Sequence, residues 1–288
     1  MDHASLAAFL ETAGSVLARS PLGVVLIEDL VEVDGTIRHQ LAAGFRSVLA
    51  FAPPDWRVPE DLAGAVHRIP FDMRGPDALT RALNPLIAAC PETTWLHYCY
   101  NAEYLFYPFC ETRNVRELLA FHAEERRDAM LTYVVDLYAP DLGANPDAVN
   151  LSEAMLDRSG YFALARKGPS GQALERQYDF FGGLRWRFEE HIPDNRRKID
   201  RIGLFRAQKG LQLRPDHTFN IEEYNTFACP WHHNLTAAIA SFRVAKALKT
   251  NAGSTFDIPS FRWYNSVPFG WNSQQLMDLG LMEPGQWF

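Results

Sequence analysis

The first 140 residues alternate short apolar runs with segments of helical spacing, and this alternation restricts the fold more than any other feature. The apolar runs have the length and composition of strands buried on both faces of a sheet. They lie at Gly23–Leu30, Arg46–Pro54, His67–Met73, Trp95–Phe106 and Asp128–Ala139. The helical segments lie at Thr36–Phe45, Asp77–Ala89 (interrupted by Pro85) and Val115–Glu125. Short links between the two kinds of segment predict an α/β fold, a mostly parallel sheet flanked by helices.

The pattern weakens after Pro140. Turn-forming residues punctuate 140–183, and 185–213 is expected to be irregular with short strands. Residues 235–250 have the spacing of a helix, and the last 38 residues, 251–288, are rich in aromatic residues. We therefore expect one domain over 1–288, with a sheet-based, Rossmann-like half at 20–140 and a looser half at 141–288.

Composition excludes several classes of protein. No window reaches the 18 or so consecutive apolar residues of a membrane helix, and the N-terminus has Asp2 where a signal peptide carries positive charge. The expected location is the cytoplasm. The four cysteines, Cys90, Cys99, Cys110 and Cys229, include no CxxC pair, so reduced and packed thiols are expected rather than a zinc site.

The charge of the chain is unevenly distributed. The formal net charge is −7, which argues against a general nucleic-acid binder. Residues 185–214 nevertheless contain nine Lys or Arg against four Asp or Glu, a local excess of +5 that leaves −12 for the rest. This basic island indicates either a small anionic ligand or a solvated basic loop.

Polar residues follow two of the predicted strands. Glu28 and Asp29 end the first strand, and the aromatic run from Trp95 leads into Asn101 and Glu103. In a doubly wound sheet, a ligand binds beyond the carboxyl ends of the strands. These four residues are therefore candidates for ligand binding, and Glu103 is also a candidate base. The alternative for Glu103 is a structural carboxylate bonded to the backbone or to an arginine.

The region around Glu103 resembles bacterial family 2-like glycosyltransferases, which have the GT-A fold. These enzymes have a tryptophan on the central strand, followed by an acidic D-x-D-E-F motif and often by Tyr-Pro. The residues here that match this pattern in register are Trp95, Glu103, Tyr104, Leu105, Tyr107 and Pro108. The stretch FFGGLRWRF at 180–188 is similar to their Gly-Gly-x-Arg segment. The order of Lys198, His217 and the ACPWHHNL stretch at 228–235 also follows theirs, and the likeness covers about residues 20–283.

The sequence differs from the family pattern at the metal-binding motif. Tyr100 and Ala102 occupy the positions of the two acids that bind Mn²⁺ or Mg²⁺ in the family. Neither is a usual ligand for a hard cation, so the metal site is expected to be weakened or absent. The remaining metal candidates are Glu103, His217 and His233, and histidines in an aromatic core are the alternative interpretation.

The resemblance implies roles for further residues. Arg185 and Arg187 would lie on one face of a strand and, with Lys198, would grip the donor diphosphate. Glu28 and Asp29 would contact the nucleobase or ribose of the donor, Glu103 its ribose or a metal, and Asn101 would also bind the donor. Asp179 would be the general base for an acceptor hydroxyl. The alternatives are a surface ladder for the arginines and a turn residue for Asp179.

Three functions follow from these patterns. The first is transfer of a sugar from a nucleotide-sugar to a hydroxyl acceptor in polysaccharide assembly, with basic side chains replacing the metal charge. The second is a catalytically inactive relative that binds a glycan, a nucleotide or a partner protein, consistent with the aromatic tail. The third is a metal-dependent hydrolase using His217, His232 or His233 with Glu222 or Glu223, which no H-x-H or HExxH spacing supports. Homo-oligomer formation is left open.

Overall fold

The computed structural model describes residues 1–226 and 234–287 and shows a mixed α/β fold. The strands are β1 (Leu22–Leu26), β2 (Ser47–Ala52), β3 (Val66–Pro70), β4 (Trp95–Tyr100), β5 (Glu103–Phe106), β6 (Ala129–Tyr138), β7 (Met155–Asp157), β8 (Phe162–Lys167), β9 (Ala173–Phe181), β10 (Asp200–Arg206), β11 (Ala237–Ser241) and β12 (Ser266–Pro268). The helices are α1 (Leu6–Thr12), α2 (Gly14–Leu17), α3 (Val33–Ala43), α4 (Ala78–Ala89), α5 (Val115–Glu124), α6 (Gly183–Arg187), α7 (Arg243–Thr250) and α8 (Ser273–Asp278). Within the described ranges, no helix is both long and apolar enough to cross a membrane.

The chain divides into two compact units whose segments alternate along the sequence. Unit 1 contains 1–104, 112–131 and 202–225, and unit 2 contains 105–111, 132–201 and 226–288. The predicted division at residue 140 therefore falls inside a segment of unit 2.

Unit 1 is built on a sheet with the strand order β10-β4-β1-β2-β3. Strands β1 to β4 run parallel, and β10 pairs antiparallel with β4. Every residue of β1, β2 and β4 is buried, as expected for parallel strands covered on both faces. Helix α3 packs on this sheet through Val33 and Ile37. It ends at Gly44, whose φ of 105° permits the left-handed cap that satisfies the last carbonyls.

Unit 2 has mixed strand pairing. The order β12-β7-β6 is antiparallel, and β11 runs parallel to β6. Strands β8 and β9 form a separate antiparallel hairpin. A core cluster includes Tyr138, Leu184, Leu248 and Phe261. The α/β class predicted from the sequence is thus observed, and the strand pairing is mixed where a mostly parallel sheet was expected.

Several sequence predictions of secondary structure are corrected. The helix expected over 235–250 is instead β11 followed by α7, because a short apolar run such as Ala237–Ser241 fits a buried strand as well as a helix. The hairpin β8–β9 was not predicted within 140–183. The strand expected from Trp95 to Phe106 breaks into β4 and β5, where Ala102 has a φ of 61°. Helix α4 continues through Pro85.

Candidate functional site

The strand order of unit 1 contains a topological switch point between β1 and β4. From β1 the chain continues outward through β2 and β3, and it then returns to place β4 on the other side of β1. In doubly wound sheets, such a point is where ligands bind, beyond the carboxyl ends of the strands. The residues after these two strands are Glu28 and Asp29 on one side and Asn101 on the other.

Asn101 joins the segment after β4 to the segment after β1. Its Oδ1 accepts a hydrogen bond from the backbone N–H of Glu28 at 2.9 Å. Its Nδ2 donates to Asp29 Oδ1 at 2.6 Å and to the carbonyl of Val31 at 2.8 Å. Asn101 is completely buried, so these bonds fix the backbone after β1 and leave its amide fully used there.

A cavity of about 290 Å³ lies beyond the carboxyl ends of β1, β2 and β3, and we call it the strand-end pocket. This volume is at the lower limit of the roughly 300–1,000 Å³ of small-molecule sites, so it suits a fragment of nucleoside size. Its lining residues come from the segment after each strand and are Ile27, Glu28, Asp29, Leu30, Pro53, Asp55, Phe71, Asp72, Met73 and Arg74.

The strand-end pocket has an acidic lining with one cation. Four carboxylates line it, those of Glu28, Asp29, Asp55 and Asp72, and the cation is Arg74. The backbone N–H of Arg74 donates to Asp72 Oδ1 at 2.9 Å, and its side-chain Nε donates to the carbonyl of Glu28 at 3.2 Å. Carboxylates of this kind accept hydrogen bonds from ribose hydroxyls in dinucleotide sites.

The segment Tyr100–Glu103 contains one carboxylate, and that carboxylate bonds to the backbone. Of its side chains, only that of Glu103 is a carboxylate, and Glu103 Oε2 accepts the backbone N–H of Tyr100 at 2.8 Å. Ala102, with its backbone N–H bonded to Thr36 Oγ1 at 2.8 Å, is completely buried. The buried Glu103 carboxylate therefore stabilises the break between β4 and β5.

Of the two histidines predicted to bind a metal, the structure describes only His217. His217 lies in unit 1, where its Nδ1 is 2.9 Å from the hydroxyl of Tyr98 and the two rings stack. His233 and His232 lie outside the described residues. Among the residues that are described, no group of three or more His, Cys, Asp or Glu side chains has the proximity of a metal site.

Arg185 and Arg187 lie in unit 2 on the short helix α6, so the strand geometry assumed for them is wrong. Strand β9 ends at Phe181, and α6 begins at Gly183. Gly182 and Gly183 have φ of 154° and 62°, which turn the chain from the strand into the helix. Arg185 Nε lies 3.3 Å from Asp136 Oδ1, and Arg187 Nε lies 2.9 Å from Asp157 Oδ2.

Both of these ion pairs are buried. Burial raises the pKa of Asp136 and of Asp157, and the facing arginine limits the rise in each case. Asp157 also accepts hydrogen bonds through Oδ1 from the Tyr138 hydroxyl at 2.5 Å and from Trp263 Nε1 at 2.8 Å. The positive charges of Arg185 and Arg187 are thus matched inside unit 2.

Asp179 and Lys198 contact each other in unit 2. Lys198 Nζ lies 3.1 Å from Asp179 Oδ1, and the same oxygen accepts Arg166 Nε at 2.7 Å. Arg166 also bonds to Asp200 Oδ2 at 2.8 Å. The predicted base and one predicted diphosphate ligand therefore belong to one four-membered charge network.

The residues of the strand-end pocket that sequence reasoning missed follow β2 and β3. Asp55 comes three residues after β2, and Phe71, Asp72 and Arg74 come directly after β3. The signal that selected Glu28, a polar residue just past a buried strand, would also have selected Asp55 and Asp72.

Fold and site together define a class: a mixed α/β protein with a ligand-sized pocket beside the switch point of its parallel strands. Comparison with protein-family models finds no match to the chain, and comparison with curated proteins finds none either.

Proposed function

We propose that this chain is a nucleotide-sugar-dependent glycosyltransferase of the GT-A type that binds the nucleoside of its donor in the strand-end pocket. The observation that carries the proposal is the position of Glu28 and Asp29. Both line a pocket beyond the carboxyl ends of three parallel strands and beside the switch point. This is where doubly wound sheets bind nucleotides.

The lining of the pocket suggests how a nucleoside would be held. In the proposal, carboxylates of Glu28 and Asp29 accept hydrogen bonds from the ribose hydroxyls. The ring of Phe71 offers an apolar surface for the base. Arg74 supplies positive charge for the first phosphate, since an acidic lining alone would repel a diphosphate.

The acceptor side of the reaction belongs to the same proposal. An acceptor hydroxyl must lose its proton as it attacks the sugar, and Asp179 is the proposed base. Its Oδ1 already binds Arg166 and Lys198, so the proton would go to Oδ2. Cytoplasmic location and a role in polysaccharide assembly are also part of this proposal.

A thermal-shift panel tests nucleotide binding. A ligand that binds only the folded protein, at about 100 times its Kd, adds about 2.7 kcal/mol of stability. We expect at least one nucleoside diphosphate to raise the Tm, with EDTA as well as with Mn²⁺ present. Glu28→Gln should reduce that shift, whereas Asp61→Asn should preserve it, because Asp61 pairs with Arg38 at the surface and does not line the pocket. The proposal fails if no nucleoside diphosphate shifts the Tm in either buffer.

The second candidate is a nucleotide-binding relative without transferase activity. The engagement of Glu103 by the backbone of Tyr100, together with Tyr100 and Ala102 in place of acids, favours it. Hydrolysis of a panel of nucleotide-sugars separates the two functions. Turnover by the wild type that disappears in Asp179→Asn supports the transferase, and nucleotide binding without turnover supports the inactive relative.

A further inference from the structure

The loop between β1 and α3, residues 27–32, carries part of the acidic lining of the strand-end pocket, and we call it the acidic loop. Its residues that line the pocket are Ile27, Glu28, Asp29 and Leu30. Glu32 ends the loop with a φ of 54° and a ψ of 30°, a left-handed conformation that residues other than glycine seldom adopt. A loop with such a residue keeps one shape only when contacts from elsewhere in the fold hold it.

The segment between β4 and β5 supplies contacts of this kind. Asn101 Oδ1 accepts the backbone N–H of Glu28 near the start of the acidic loop. The backbone N–H of Ala102 donates to Thr36 Oγ1 at 2.8 Å, and Thr36 Oγ1 donates to the carbonyl of Glu32 at 2.7 Å. Asn101, Ala102 and Thr36 are all buried. The acidic loop is therefore held near both of its ends by the same segment.

Tyr104, in β5, holds the acidic loop through its hydroxyl, which donates to Glu32 Oε2 at 3.1 Å. The Tyr104 side chain is buried, and its ring packs edge-on against His39 of α3 with centroids 5.4 Å apart. Burial and the neighbouring Glu32 carboxylate raise the pKa of the Tyr104 hydroxyl. The hydroxyl therefore keeps its proton and remains a donor to Glu32 at neutral pH.

Gly35 makes room for the pair formed by Tyr104 and Glu32. A Cβ atom at position 35 would collide with Glu32 Oε2 and would lie 3.5 Å from the hydroxyl oxygen of Tyr104. Gly35 lies inside α3, where an alanine would favour the helix more than a glycine does. The Glu32 carboxylate can thus lie over the first turn of α3 because this position has no side chain.

We propose that Tyr104 is a positioning residue that, through Glu32, keeps the acidic loop in the shape in which Glu28 and Asp29 receive the nucleoside. This inference rests on the proposed nucleotide binding, and it gives the segment around Tyr104 the role of forming the site before the ligand binds. A loop that is already ordered loses less freedom on binding, so the affinity rises with the population of the binding shape.

Amide hydrogen exchange of the ligand-free protein tests whether Tyr104 holds the loop. Tyr104→Phe removes the hydroxyl and keeps the ring, so the packing against His39 remains. We expect the amides of residues 28–36 to exchange several times faster in this variant, while the amides of β1 and β2 keep their wild-type rates. A general loss of stability would instead accelerate exchange in the strands as well.

Calorimetric titration with UDP, GDP, ADP and CDP measures the effect of Tyr104→Phe on binding. Without the hydrogen bond, an acidic loop that has its binding shape about one third of the time lowers the affinity about threefold. Glu32→Gln is the conservative variant, because its amide oxygen still accepts the Tyr104 hydroxyl. It should keep the loop exchange rates and the affinity of the wild type.

Tyr224→Phe is the matched control for loss of a buried hydroxyl. Tyr224 is as buried as Tyr104 and also belongs to unit 1, but its hydroxyl donates to the carbonyl of Arg206 at 2.9 Å. This variant should change neither the exchange of the acidic loop nor the affinity for the nucleotides.

The positioning role is wrong if Tyr104→Phe leaves either the loop exchange or the nucleotide affinity at its wild-type value. It is also wrong if Glu32→Gln loses as much affinity as Tyr104→Phe, since the charge of Glu32 would then be the cause. Failure of the proposed function has a different sign, which is that none of the four nucleotides binds the wild type, and the positioning role fails with it. Wild-type binding that Tyr104→Phe does not change overturns the positioning role alone.

Discussion

Asn101 donates its side-chain amide to Asp29 Oδ1 across 2.6 Å, and this bond joins the residue after β4 to the segment after β1. The same side chain binds the N–H of Glu28 and the carbonyl of Val31. Asn101→Ala should lower the free energy of unfolding by about 2–4 kcal/mol, because three partly buried groups each lose a hydrogen bond worth about 0.5–1.5 kcal/mol. Urea denaturation at pH 7 measures this, and a loss below about 1 kcal/mol would contradict it.

Asn101→Asp tests whether charge at this position affects stability. It keeps an acceptor for the Glu28 N–H but places a carboxylate against Asp29, and like charges disfavour each other. We expect it to be less stable than the wild type at pH 7 and to recover part of the difference near pH 4, where one carboxyl takes up a proton. A difference independent of pH would show that charge repulsion is not the cause.

Arg74→Ala should weaken binding of a nucleoside diphosphate more than binding of the nucleoside. Arg74 is the cation among the residues that line the strand-end pocket, and its loss leaves four carboxylates there. Removing one charge-assisted contact should reduce diphosphate affinity by about tenfold, or about 1.4 kcal/mol. Calorimetric titration of nucleoside and diphosphate measures both. Arg38→Ala, at an exposed ion pair with Asp61, should leave both affinities unchanged.

The stability of the protein should fall between about pH 6.5 and 4 because of His67. Burial is the main cause that lowers the pKa of His67 to about 4, and the nearby charges of His3, the N-terminal amine and Arg19 lower it further. The folded state therefore binds this proton more weakly than the unfolded state. The stabilisation is complete above the unfolded pKa of about 6.5 and is lost as the pH falls towards 4.

Comparison of His67→Gln with the wild type isolates this effect. Buried His122, with a pKa also lowered to about 4, contributes in the same window and is unchanged in the variant. Urea denaturation at several pH values should show a stability difference that is constant above pH 7 and shrinks or reverses on acidification. A constant difference down to pH 4.5 would exclude His67 as a source of acid lability.

Gly182→Ala should destabilise unit 2 strongly. Gly182 has a φ of 154°, and a Cβ there would collide with Cδ1 of the Tyr161 ring. Backbone strain and overpacking cost about 1–3 kcal/mol each, so a total of about 2–6 kcal/mol is expected. Gly64→Ala is the control, because nothing lies within 4 Å of its added methyl group. A change below about 1 kcal/mol for Gly182→Ala would disprove the close contact.

The parallel strands of unit 1 were predictable because each is a short apolar run with turn residues at both ends. The strand at Ala237–Ser241 was not predictable. Its small apolar residues continue the helical spacing of α7, and no local feature marks the boundary at Phe242. The hairpin β8–β9 was missed for the opposite reason. Its strands are largely exposed, so they lack the apolar alternation that marks a strand.

The position of a candidate residue was predictable where it depended on the residue's own strand. Glu28 and Asp29 lie in the strand-end pocket because they follow β1 directly. Partners distant in sequence could not be foreseen. Arg185 pairs with Asp136, 49 residues earlier, and Lys198 pairs with Asp179, 19 residues earlier. A local excess of basic residues in the sequence therefore did not reveal which carboxylates surround them in the fold.

The alternation of the two units along the chain has a consequence for synthesis. Unit 1 receives its last segment, with β10 beside β4, only from residues 202–225. The intervening 132–201 segment of unit 2 is 70 residues long, and at about 5–20 residues per second it takes about 4–14 s to translate. During this interval β4 leaves the ribosome with its edge unpaired by β10, so a nascent chain halted before residue 202 should depend on chaperones more than the finished protein does.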